Sequence, residues 1–99
     1  MREVVYRPRA TADLSAIADY TKTEHGEGQA KRYLAEIRKQ IGLVAELPGI
    51  GTAVHGLPTG YRKIGSGLHR VIYRHTENEL IVIRILHAKQ DMPDEITDF

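Results

Sequence analysis

Apolar side chains recur along this chain at two different spacings, and the change of spacing divides it into elements. Glu3-Val4-Val5-Tyr6 is short, β-branched and aromatic, and is closed by Pro8, which predicts a first strand. From Pro8 the period becomes helical. Ala10, Leu14, Ile17 and Ala18 fall on one face of a helix whose first turn suits proline, and His25-Gly26 ends it with Gly26 in a left-handed cap conformation. Ala30, Tyr33, Leu34, Ile37, Ile41 and Val44 form the stripe of a second helix. Lys31, Arg32, Glu36 and Lys39 lie on its wet side, and Pro48-Gly49 stops it. So few residues separate the two helices that they predict an antiparallel hairpin.

The last third alternates. Residues 49–60 form a glycine-rich loop, residues 61–64 begin a strand, and Gly65-Ser66-Gly67 turns it. Residues 68–75 and 80–87 read as two strands around Glu77-Asn78. With Thr76 opposite Glu79, Ile72 falls opposite Ile83 and Arg70 opposite Ile85. One face then carries Leu68, Arg70, Ile72, Arg74, Ile81, Ile83, Ile85 and His87. The other carries His69, Val71, Tyr73, His75, Leu80, Val82, Arg84 and Leu86. Both faces are largely apolar, yet one helical hairpin covers only one. The second face calls for a lid, from a partner in the favoured reading, or from the 49–60 loop and the C-terminal tail in the other. The expected fold is α+β, a helical hairpin packed on a small antiparallel β-sheet in the order β-α-α-β-β-β.

Length and charge sharpen this picture. At 99 residues the chain predicts one domain spanning 1–99. It has no cysteine, hence no disulfide framework and no thiolate chemistry. No secretory leader opens it and no apolar run approaches about 20 residues, so the expected location is the cytoplasm, with no membrane partner. The net charge of +1 conceals an uneven distribution. Between residues 49 and 90, Arg62, Lys63, Arg70, Arg74, Arg84 and Lys89 face only Glu77 and Glu79, whereas the tail from 91 to 99, DMPDEITDF, holds acids and no base. A basic, strand-rich surface suits an anionic target or a covering partner; a solvated face is the plainer alternative.

Residue matches coincide with this order of elements. They are Ala12-Asp13-Leu14, Ile17 and Tyr20; Gly26, Gln29-Ala30 and Tyr33; Pro48-Gly49 with Gly51; Gly60-Tyr61-Arg62; His69 and Tyr73-Arg74; and Arg84-Ile85-Leu86-His87 with Asp91. On these the sequence resembles the ParE branch of the RelE/ParE toxins of bacterial type II toxin–antitoxin systems. The resemblance implies a ParD-like antitoxin whose C-terminal segment folds over the toxin, and a hetero-oligomeric complex. It implies DNA gyrase, with DNA held by gyrase, as the target; RelE relatives instead cut mRNA on the ribosome. No cofactor is implied.

Metal-free RNA cleavage needs a base, an acid and a cation for the phosphorane. Arg70 and His87 match two positions of the Glu–Arg–His set of the RNA-cleaving relatives, and the expected register puts them on one face. The loop that should hold the glutamate reads GTAVHGLPTG, and no tyrosine follows His87. His55, the loop's one titratable group, reads as a surface residue. The set is incomplete, and the expectation is a binding protein and not an enzyme, with the Arg70–His87 nuclease and a non-toxic binding module as alternatives. The expected contact surface for target or antitoxin is Tyr61, Arg62, Arg70, Arg74, Arg84, His87 and Lys89; the arginines also admit a role as stems lying along the sheet. His69, His75 and His87 do not make a metal-ligand pattern.

Overall fold

The computed structural model describes residues 2–91, so of the expected acidic tail only Asp91 falls within it. In chain order the elements are Glu3–Tyr6 (β1), Pro8–His25 (α1), Glu27–Glu46 (α2), a 3-10 turn at Pro48–Ile50, Thr52–Ala53 (β2), Arg62–Ser66 (β3), His69–His75 (β4) and Glu79–His87 (β5). The sheet order is β1-β5-β4-β3-β2. Strands β3 to β5 pair antiparallel, as expected, and β2, within the segment expected as a loop, adds antiparallel to β3. β1 adds itself parallel to β5, Glu3 opposite Glu79 and Tyr6 opposite Val82, so the sheet is mixed. The helical hairpin is the crossover that such a parallel pairing requires. Gly26 alone joins the helices, at φ 91° and ψ 164°, a glycine region distinct from the expected left-handed cap.

The main core lies between hairpin and sheet. Ala10 and Ile17 of α1 and Leu34, Ile37, Ile41 and Val44 of α2 meet Val71 and Tyr73 of β4 and Leu80, Val82 and Ile85 of β5. Thr21, buried on α1, turns its hydroxyl back to donate to the Ile17 carbonyl at 2.7 Å, so its burial strands no polar atom.

The β4–β5 register departs from expectation at one point. His75 to Tyr73 pair with Leu80 to Val82 as the Glu77-Asn78 turn predicts, but Ile72 then meets Arg84, Val71 meets Ile85 and Arg70 meets Leu86. Ile83 is the extra residue of a β-bulge. Past it, Ile85 belongs with the helix-facing core and Leu86 with the opposite face, the reverse of the strict alternation. At the bulge the Asp13 carboxylate of α1 accepts bonds from Arg84 Nε at 2.8 Å, Arg84 Nη2 at 3.0 Å and the Ile85 N–H at 2.8 Å. This N–H lies past the end of the β1 ladder, and Asp13 satisfies it from a helix.

The apolar centre of the second face is covered by the chain itself. Val54, Leu57 and Tyr61 from the 52–61 region cluster with Ile72, Ile83 and Leu86, and Tyr61 is only 4% exposed. The segment is pinned at its start. Tyr73 Oη donates to the Pro48 carbonyl at 2.5 Å and accepts the Gly51 N–H at 3.1 Å, while Arg62 Nη2 donates to the Gly51 carbonyl at 2.8 Å.

Two stability predictions follow from these anchors. A Cβ on Gly51 would run into Tyr73 Oη and stand 2.6 Å from the Lys63 carbonyl oxygen. Gly51→Ala should therefore cost about 1–3 kcal/mol in urea unfolding, and an unchanged midpoint would show that the anchor gives way freely. Asp13→Ala removes two bonds from the Arg84 guanidinium and one from the Ile85 N–H. It should cost about 3 kcal/mol, with Asp13→Asn costing less because one acceptor oxygen remains. A loss under about 1 kcal/mol for the alanine variant would mean that water replaces the carboxylate.

Candidate functional site

The residues expected to form one basic surface separate into three environments. Arg84 is committed to Asp13, with both side chains mostly buried, and does not contribute to an open basic face. Arg62 is turned to the 48–51 turn, its guanidinium donating to the Gly51 carbonyl and, at 3.3 Å, to that of Gly49. Tyr61 is packed in the second cluster with the Arg74 guanidinium 5.4 Å from its ring centre, so its ring is part of the core. Burial is also what raises the Tyr61 phenol above its ordinary pKa, with Arg74 opposing.

Arg70 and Arg74 remain on the face away from the helices, where Lys63 sits opposite Ile72 on the neighbouring strand. Arg70 Nη2 donates to the Gln90 carbonyl at 2.5 Å, while its Nε is buried without a partner among the described residues. Lys89 stands in the exposed turn after β5. His87 does not join Arg70. The bulge pairs His87 with His69 and Arg70 with Leu86, which sets His87 on the helix side and Arg70 on the other. The expected shared face for these two residues is overturned by that single inserted residue.

What the structure assembles instead is a groove between the far end of the hairpin and the sheet, about 430 Å³ in volume. Ala16, Ile17 and Tyr20 of α1 form one wall, Gln29 and Tyr33 of α2 its end, and Leu68, His69 and His87 its floor, with Thr21 and His25 completing it. Tyr20 and Leu68 are large apolar side chains at 67% and 66% exposure. Tyr33 Oη accepts the Leu68 N–H at 3.0 Å and meets His69 Nδ1 at 2.5 Å, so the β3–β4 turn is fastened to α2. The His69 pKa is lowered, first by burial, then by neighbouring His87, with Asp13 pulling the other way.

Sequence reasoning missed this groove. Tyr33 reads there as part of the α2 stripe, Tyr20 as one of the residues that carry the resemblance, and Leu68 as one more strand position. The available signal was Ala16, Ile17 and Tyr20, one turn apart on α1 with no charge between Leu14 and Asp19. Among the described residues no group of three or more metal-ligating side chains converges, and no helix is long and apolar enough to cross a membrane.

Comparison with known proteins agrees with this architecture. Residues 4–92 match the model of the ParE toxin of the type II toxin–antitoxin system parDE. Toxins named ParE1 from Mycobacterium tuberculosis and Caulobacter vibrioides are each 40% identical to the chain, over 86 and 83 residues. These alignments cover 86% and 84% of this chain and 88% and 85% of theirs. Among solved structures, a chain of the chromosomal ParDE system of P. aeruginosa superposes with a TM-score of 0.76 at 21% identity, covering 90% of this chain and 98% of that one. A chain of the RelBE2 toxin–antitoxin complex of M. tuberculosis does so at 0.64 and 19%, covering 87% and 96%. The chain belongs to the ParE toxin family of type II toxin–antitoxin systems.

Proposed function

We propose that this ParE-type toxin arrests growth in the cytoplasm by binding and poisoning DNA gyrase, and that a ParD-like antitoxin silences it in a hetero-oligomeric complex. The observation that carries binding over RNA cleavage is the separation of Arg70 from His87 across the sheet, since acid–base chemistry on one phosphate needs both within hydrogen-bond reach. Arg70, Arg74 and Lys89 are the cations we assign to the target, where their chemistry suits carboxylates or the phosphates of gyrase-held DNA. Tyr61, Arg62 and Arg84 support that face from within the fold, through contacts with the second cluster, the 48–51 turn and Asp13.

The antitoxin we assign to the groove. Its walls are apolar and two large side chains stand exposed on its rim, the pattern of a helix-in-groove or extended-segment partner. His87 falls in this surface and not in the cationic one.

Two measurements test these assignments. Plasmid DNA incubated with gyrase, ATP and the purified chain should accumulate linear product after detergent and protease, and should stop doing so when the antitoxin is added. A clean negative with folded, antitoxin-free protein would sink gyrase poisoning and direct attention to ribosome-bound mRNA. Separately, Leu68→Asp should weaken antitoxin binding at least tenfold, about 1.4 kcal/mol, with thermal stability unchanged because the side chain is exposed. Undiminished binding in a calorimeter would move the antitoxin elsewhere.

A further inference from the structure

Three rings run in contact from α2 across the groove floor. Tyr33 and His69 meet edge to face with centroids 5.5 Å apart, and His69 and His87 do the same at 5.4 Å. The hydrogen bonds around them limit where the protons can sit. Tyr33 Oη already accepts the Leu68 N–H, and its own hydrogen has two possible acceptors, His69 Nδ1 at 2.5 Å and the Ser66 carbonyl at 3.4 Å. We assign the hydrogen to the shorter bond, which leaves His69 Nδ1 bare and its proton on Nε2. His87 Nδ1 accepts the Lys89 N–H at 3.1 Å, which fixes the same tautomer there.

We propose that the Tyr33–His69–His87 cluster is an acid-operated latch: adding a proton to either imidazole unfastens the β3–β4 turn or the turn after β5 from the floor of the groove, so that a groove formed at neutral pH loosens on mild acidification. Each imidazole can take a proton only on the Nδ1 that now accepts a bond. At His69 the Tyr33 hydroxyl must reverse and fall back on the longer approach to Ser66. At His87 a new N–H would point at the Lys89 N–H, two donors face to face. With both charged, two cations would stand in ring contact.

The surroundings do little to stabilise that charge. From α1, Asp13 favours a charged His69, but its oxygens are already taken by Arg84 and the Ile85 N–H. His25, also from α1, lines the same groove and contributes no negative charge. From α2 the cluster meets only the Tyr33 hydroxyl and the neutral Gln29 amide, and beyond β5 comes Lys89. Packing leaves the turn no slack, since a Cβ on Gly67 would come within 2.6 Å of the Tyr33 ring.

The sign follows from His69. Its folded pKa lies below its ordinary value, so the unfolded chain takes the proton first. The latch therefore contributes its full stability above about pH 6.5 and loses it as the pH falls from there towards the folded pKa.

The test is an NMR titration of the full ¹⁵N-labelled chain from pH 8 to pH 5, which requires neither antitoxin nor gyrase and so stands or falls independently of the proposed function. His69 and His87 should show the Nε2–H tautomer at neutral pH. His69 should titrate below the ordinary histidine range, with the Leu68 and Lys89 amides shifting as the imidazoles take protons. His87→Asn keeps an acceptor where Nδ1 stood and removes the charge, so the His69 midpoint should rise in that variant. An ordinary midpoint for His69, a midpoint indifferent to His87→Asn, or Leu68 and Lys89 amides that ignore the titration would each overturn the latch. The amide readout on the unmodified chain remains decisive if the variant folds poorly.

Discussion

The Asp13 carboxylate is the point at which helix and sheet agree. It reaches from the second turn of α1 to the Arg84 guanidinium and the Ile85 N–H, three bonds at 2.8–3.0 Å across more than seventy residues of sequence. β1 pairs with β5 only as far as Tyr6, so the outer edge of β5 would carry an unsatisfied donor just where α1 begins to cross it. A backbone strand cannot continue there, because Pro8 has already committed the chain to a helix. One side chain on that helix does the work of the missing strand. It also neutralises an arginine that the bulge leaves beside it, and a mostly buried guanidinium without a partner would cost several kcal/mol.

A second constraint sets which surfaces remain open. The sheet is apolar on both faces and the hairpin can cover one, so the 48–61 segment folds back over the other, held by Tyr73, Arg62 and the close approach at Gly51. The lid that the alternation calls for is supplied largely by the chain itself, through Val54, Leu57 and Tyr61. A groove lies on the helix side, among α1, α2 and β4, with Tyr20 and Leu68 exposed in it. The face that the alternation left open is thus covered by the chain's own segment, and the groove lies on the face that the hairpin covers.

Most of the fold was legible because it rests on local signals. The change from alternation to helical period marked both helices, and Thr76 with Glu77-Asn78 marked the hairpin turn, where Thr76 Oγ1 indeed accepts the Asn78 and Glu79 N–H groups. The register was right for the three pairs nearest that turn. It failed at Ile83 because a bulge has no local signature in a run of aliphatic residues; Leu-Ile-Val-Ile reads as unbroken strand, and what stabilises the insertion is Asp13, far away in sequence. The same distance hid the fate of the arginines. Arg62 and Arg84 look like surface cations until their carbonyl and carboxylate partners are brought beside them, and the groove needed three non-adjacent segments before it existed at all.

That one inserted residue also governs which chemistry the sheet can support. On a regular β5, alternation would set His87 and Arg70 on one face, where an imidazole and a guanidinium could act on a single phosphate. With Ile83 bulged, His87 crosses to the helix side, touches His69 and gives its Nδ1 to the Lys89 N–H, while Arg70 stays with Lys63 and Arg74. The imidazole then sits among the side chains that line the groove, and the guanidinium sits on the other face, donating to the Gln90 carbonyl. Two residue types that would make a catalytic pair on one face instead stand on opposite faces. Because the bulge is held by Asp13, the choice between the two arrangements is made by a carboxylate that touches neither Arg70 nor His87.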